Sequence, residues 1–309
     1  MSMQLVLAGL FPPTQAQKWN KDLNWQPIPY QYEPLSQDKL LLVNTPCEVH
    51  RYNEAMDEVM KLEEVKQLMK ENEPTFELLT NMTGMEVKEF NNLLLIQGIL
   101  KAQAELNLKL PNWTEKVYPE PLNQLAAKAF SLFAYTPELR RIKGGPLLRT
   151  ILEHLTDKSN NSGKNQLYLY AAHDNTIANL LNALRVWKEH IPDYNAMILI
   201  ELHQLNRNNL HAVKIFYRKS ENHKLDELKL SGCGEVCSLE EIQHLTRDVI
   251  ATDSTKHCID ADFDKLFGEL LPGDLGGIEY LPNGRGRGNF FKNTNLKQDF
   301  SKTFLGDGL

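Results

Sequence analysis

The chain has 309 residues, of which 42% are hydrophobic and 24% charged, enough apolar material to bury a sizeable core in one or two domains. A net charge of -6 and a pI near 5.9 leave no basic footprint, which argues against nucleic acid or an anionic membrane as the main partner. No run approaches the ~18 apolar residues that a spanning helix needs.

The opening, MSMQLVLAGLFPP, carries a short apolar run from Leu5 to Phe11. No positive region precedes the run and no small-residue cleavage site follows it, so it reads as structure and not as a signal peptide. Residues 1 to about 45 are rich in Trp and Pro. In KWNKDLNWQPIPYQYEPL, Pro27, Pro29 and Pro34 forbid a long helix and predict extended segments joined by turns. From about Tyr52 to Lys109 the pattern turns helical: Phe90, Leu93 and Leu94 recur at i, i+3 and i+4, with Lys88, Glu89, Asn91 and Asn92 on other faces. Helical reading resumes at PEPLNQLAAKAFSLF and again after Gly144-Gly145-Pro146, since proline is well tolerated in a first helical turn.

Strands gather in the second half: QLYLYAA, then NAMILIELHQL and HAVKIFYRK. The last two alternate and are joined by Asn206-Arg207-Asn208-Asn209, a hairpin signal. A mixed α/β domain around an inserted helical module follows from this order. After Cys258 the composition shifts to LPGDLGG and NGRGRGNFF without sustained periodicity, so residues from about 260 onwards are expected to form a poorly packed tail. No strand and helix flank NGRGRG, which is read as a linker and not as a phosphate cradle or an RNA-binding box.

The candidate site lies in YAAHDNTIANLLNAL. Leu167 to Tyr170 predict a short strand, and Ile177, Leu180, Leu181 and Leu184 recur on one helix face, which places His173 and Asp174 between strand and helix. Ligands bind at the carboxyl ends of strands in open α/β sheets, and a helix N-terminus offers free N–H groups to an anion. A protonated imidazole would add charge for a phosphate, and the carboxyl group could hand a proton to a leaving oxygen. The plainer role is that Asp174 or Asn175 caps the helix and His173 occupies a surface turn; this stretch alone favours the cap.

Other residues select less. Cys47, Cys233, Cys237 and Cys258 fit two disulfides, but their count leaves the redox compartment open. Asn81, Asn112 and Asn160 each head an N-glycosylation triplet, the last in the polar stretch DKSNNSGKN, and these lean towards an oxidising compartment. His50, His154, His190, His203, His211, His223, His244 and His257 lack metal-ligand spacing, and no metal or cofactor is expected. A metal-dependent His-Asp phosphohydrolase would carry its pair on a helix with further ligands nearby, so that reading ranks low. Arg149, Arg185 and Arg218 could approach a phosphate, though nothing in their spacing selects them.

Several collinear segments resemble the histidine acid phosphatase family. YAAHDNTIANLLNAL is similar to its second signature, and QLVLAGLFPP followed by KWNKDLNWQPIPYQY to the segment after its phosphate-binding arginine. NTPCEVHRYNEAM, GGPLLRTIL, and GCGEVCSLEEIQHLTRDVI followed by Cys258 are similar too, so the resemblance covers about residues 1 to 260. It implies an α/β, mixed-sheet histidine-phosphatase-like domain flanked by helices (1–45 and 126–259), an inserted all-α cap over the site (46–125) and an irregular tail (260–309). It further implies the pairs Cys47–Cys258 and Cys233–Cys237, His173 as a phosphate contact and Asp174 as proton donor to the leaving alcohol. The partner is then a small phosphomonoester or phosphate, with a homodimer allowed and a secreted or lysosomal setting for the full-length family.

The family's Arg-His-Gly motif, whose His attacks phosphorus to form a phosphohistidine, occurs nowhere in the 309 residues. Its further phosphate-binding arginine belongs just before the point where this chain begins, and the usual threonine after the pair is here Asn175, followed by Thr176. The expectations are a truncated chain, a missing first strand with apolar surface left exposed, and no activity as written; the alternative is a non-catalytic fragment or pseudoenzyme that binds phosphate or a partner. His173 and Asp174 are expected to face a cleft between the α/β domain and the cap.

Overall fold

A computed structural model describes residues 1–205 and 210–250. The apolar opening forms helix α1, Ser2–Leu10, which stops before Pro12 and Pro13 and buries only Leu7. As the prolines predict, residues 11–45 hold only two 3₁₀ turns, Gln15–Gln17 and Leu35–Gln37. There the Trp19 indole N–H donates to the Trp25 carbonyl at 3.0 Å.

The helical stretch resolves into α2 (Pro46–Met60), α3 (Glu63–Glu71), α4 (Glu73–Thr83), α5 (Phe90–Glu105) and α6 (Leu122–Leu132). Proline enters the first turn of α2 and α4, where its missing N–H costs no intrahelical bond, and α4 ends at Gly84 in the left-handed region (φ 70). Val59, Val65, Leu79, Phe90, Leu93, Leu122, Leu125 and Leu139 belong to one buried cluster. Within it the Gln97 amide donates to Asn123 Oδ1 at 3.0 Å, which satisfies a polar group that burial would otherwise leave unpaired.

Helix α7 (Pro137–Lys143) was not predicted, although its start carries the signal: Thr136 caps the Leu139 N–H and Pro137 takes the first helical position. Helix α8 (Gly145–Ser159) follows at the Gly-Gly-Pro motif, and α9 (Asp174–Ala183) at the His-Asp pair. Strands β1 (Met197–Leu205) and β2 (Leu210–Arg218) pair antiparallel with Leu205 opposite Leu210, as the alternation predicts; residues 206–209 lie outside the described residues. Ile200 faces Ile215 and Leu202 faces Val213 across the pair, so one face of the sheet is apolar. Strands β3 (Asp226–Leu228) and β4 (Cys237–Ser238) pair with β2, also antiparallel. A Ser238–Glu241 capping box starts α10 (Leu239–Thr246). Leu147, Leu148 and Leu152 of α8, Leu180 and Leu184 of α9, Val213 and Ile215 of β2 and Ile242 of α10 form a second buried cluster.

The architecture is α/β as expected, with one correction. Leu167–Tyr170 is not a strand: no backbone hydrogen bond joins residues 164–172 to any described residue. A strand exists only through a neighbour that takes its N–H and C=O groups, and every pairing among the described strands is antiparallel and involves β2. The expected tail, 260–309, and Cys258 lie outside the described residues. No described helix is long and apolar enough to cross a membrane.

Candidate functional site

Helix α9 begins where its sequence pattern places it. His173 takes the N-cap position in extended conformation (φ -109, ψ 167) and Asp174 is the first helical residue. The His173 side chain accepts no backbone N–H; Asp174 Oδ1 accepts from the Asn175 N–H at 2.7 Å, so a carboxylate at the start of the helix takes up one of its first-turn donors. Both side chains of the pair are exposed, whereas Thr176, Ala178, Asn179, Leu180 and Leu181 turn inward. The inward face is tied down by Thr176 Oγ1, which donates to the Leu41 carbonyl at 2.9 Å. Asn175 and Asn179, four residues apart on one helical stripe, each bury an Oδ1 that has no hydrogen-bond donor among the described residues.

The segment leading into the pair is held by side chains. The Tyr168 ring stacks on His154 of α8 with centroids 3.7 Å apart, and the Tyr170 hydroxyl lies 3.3 Å from His154 Nδ1. Leu167, Tyr168 and Tyr170 remain 55%, 37% and 38% exposed. A hollow of about 310 Å³ is lined by Gln4, Leu7, Trp25 and the Gln26–Tyr30 stretch; His173 and Asp174 are not among its lining residues.

Two of the three arginines weighed as phosphate contacts have carboxylate partners, Arg149 with Glu153 at 3.1 Å and Arg185 with Asp248 at 2.5 Å. Arg218 donates to the Asn195 carbonyl at 3.5 Å. No group of three or more metal-ligating side chains occurs among the described residues. Cys233 and Cys237 form a disulfide; Cys47 is not a free thiol, and its expected partner Cys258 falls outside the described residues. Asn81 lies in α4, Asn112 in the 3₁₀ turn Asn112–Lys116 and Asn160 at the end of α8, all three exposed.

The sequence profile of the histidine phosphatase superfamily (branch 2) matches residues 1–218, a span that takes in α9 and the β1–β2 pair. The chain belongs to that superfamily. It is 32% identical over 261 residues to a venom acid phosphatase of Apis mellifera, a match covering 84% of this chain and 66% of that protein. It is 31% identical over 262 residues to the lysosomal acid phosphatase of Rattus norvegicus (84% and 61%) and 30% identical over 266 to the prostatic acid phosphatase of Homo sapiens (84% and 67%). The chain thus spans a little under two thirds of the length of the venom and lysosomal relatives. For a branch 2 chain, the residues that sequence reasoning singled out are the exposed pair at the start of α9. What that reasoning missed is the anchoring of the helix at Thr176, since Leu41 is 135 residues away in the chain.

Proposed function

We propose that the chain carries the leaving-group half of an acid phosphatase site. In this reading His173, protonated, contacts phosphate oxygens, and Asp174, as the carboxylic acid, gives its proton to the bridging oxygen as the phosphorus–oxygen bond breaks. The observation that carries the reading is the exposed His-Asp pair at the first turn of α9, inside the matched residues. The free N–H groups and positive dipole end of that turn favour a dianion. The full-length activity is then hydrolysis of phosphate monoesters through a phosphohistidine, in a secreted or lysosomal setting, with residues 46–125 as the cap. A glycan at the exposed Asn160 and a homodimer fit the same reading.

The 309 residues contain no Arg-His-Gly nucleophile motif, and Asp174 can only assist a leaving group that something else displaces. By themselves they therefore bind phosphate or a phosphomonoester without turnover. The test assays an aryl phosphate near pH 5 with this chain and with one extended upstream to include an Arg-His-Gly motif. Activity only in the extended chain, lost in Asp174→Ala, is the expected result. Equal rates from both chains, abolished by Asp174→Ala, would show that the nucleophile lies within these residues.

A further inference from the structure

We propose that Lys143 and Thr176 are positioning residues for the His173–Asp174 pair, acting through the backbone of the Asp38–Val43 loop that lies between them. The inference rests on reading the pair as a phosphate and leaving-group site. Asp38 closes the loop on itself: its carboxylate accepts the N–H groups of Leu40, Leu41 and Leu42 at 2.9, 2.8 and 3.0 Å, and its carbonyl accepts the Asn44 N–H at 2.7 Å. With the N–H groups gathered on one carboxylate, the loop's carbonyls are left for donors from elsewhere. Thr176 Oγ1 donates to Leu41, and Lys143 Nζ donates to Leu42 at 3.0 Å and Val43 at 2.9 Å. Val43 is buried with φ 53, a left-handed conformation that a β-branched residue adopts only when its surroundings over-determine it. The ammonium on the Val43 carbonyl is part of that determination.

Thr176 is the third residue of α9. At ~100° per residue it lies about 200° around the helix axis from Asp174, so fixing Thr176 to the loop turns Asp174 to the far side, towards solvent. Lys143 reaches the loop from α7 with Asp38 of the loop and Glu48 of α2 as its charged neighbours, and its Nζ lies 4.7 Å from the centre of the Tyr52 ring. Burial lowers the Lys143 pKa to about 8, against the opposing pull of Glu48 and Asp38. Loss of the Lys143 proton removes the charge-assisted bonds to Leu42 and Val43, lets the loop relax, and withdraws the Leu41 carbonyl from Thr176.

The experiment follows the ¹³C shifts of Asp174 and Asn175 in the 309-residue chain by NMR from pH 6.5 to 9.5. A titration step with its midpoint near pH 8 is expected in the unaltered chain. The step should be lost in Lys143→Arg, which stays charged, and in Thr176→Val, and restored in Thr176→Ser. Flat Asp174 and Asn175 shifts in the unaltered chain, or a step that survives Lys143→Arg, would overturn the proposal. The unaltered chain decides the first point whether or not a variant folds. Inorganic phosphate added at pH 6 tests the underlying site separately: a response at His173 without the pH step removes the coupling alone, and a pH step without that response keeps the coupling and removes the phosphate assignment.

Discussion

Replacing Gly144 with alanine should loosen the helix that carries the His-Asp pair, and the structure sets the size of the effect. A Cβ at Gly144 would lie 2.5 Å from the Asn179 carbonyl oxygen, 2.7 Å from Ala183 Cβ and 3.2 Å from the Arg140 carbonyl oxygen. Carbon atoms pack at ~3.5 to 4.0 Å, so α9 would have to withdraw by about an ångström from the turn between α7 and α8. The atoms met are backbone and a β-carbon, neither of which can rotate aside. Overpacking of this kind costs about 1–3 kcal/mol or more, against at most ~1 kcal/mol gained from alanine's helix propensity. A net loss of about 2 kcal/mol lowers the melting temperature of a chain this size by ~4–8 °C. Gly98, inside α5, is the control: a Cβ there meets nothing within 4 Å. Gly98→Ala should therefore raise the melting temperature by a few degrees, from ~0.5–1 kcal/mol of backbone entropy. Thermal melts followed by circular dichroism on both variants give the comparison. A Gly144→Ala melt within ~1 °C of the unaltered chain, or a fall as large for Gly98→Ala, would refute the packing argument.

Leu93 is fully buried in the helical cluster, so Leu93→Ala should cost ~2–5 kcal/mol in urea unfolding; a loss below ~1 kcal/mol would show that α5 does not close a core there. Burial holds the His190 imidazole below its usual range despite the Lys188 carbonyl, while Nε2 lies 2.7 Å from the Tyr217 hydroxyl. The unfolded chain therefore takes up a proton that the folded chain refuses, so this contribution to stability is full above about pH 6.5 and is lost as pH falls below it. An NMR titration midpoint for His190 at or above ~6.5 would contradict this. Peptide mapping without reduction of secreted protein should recover Cys233 joined to Cys237 and, as the family resemblance implies, Cys47 joined to Cys258; a free Cys47 thiol would reject the second pair. The short Cys233–Cys237 loop is worth ~2 kcal/mol in the chain-entropy picture, whereas the long one would add ~5.

Signals that are local in the chain determined much of this protein by sequence alone. The spacing of Phe90, Leu93 and Leu94, proline in first turns, and the alternation of β1 and β2 each need only a few neighbouring residues to act, so helices, hairpin and the start of α9 at Asp174 were legible. Thr136-Pro137 and Ser238-x-x-Glu241 were equally local and would have revealed α7 and α10. The state of Leu167–Tyr170 was not legible, because its apolar side chains favour a strand while its backbone needs a partner that no local pattern supplies. Only tertiary structure decided how the site helix is held. Thr176 meets Leu41 across 135 residues and Lys143 meets Leu42 and Val43 across about one hundred, and a hydrogen bond between groups so far apart in the chain leaves no trace in spacing or periodicity.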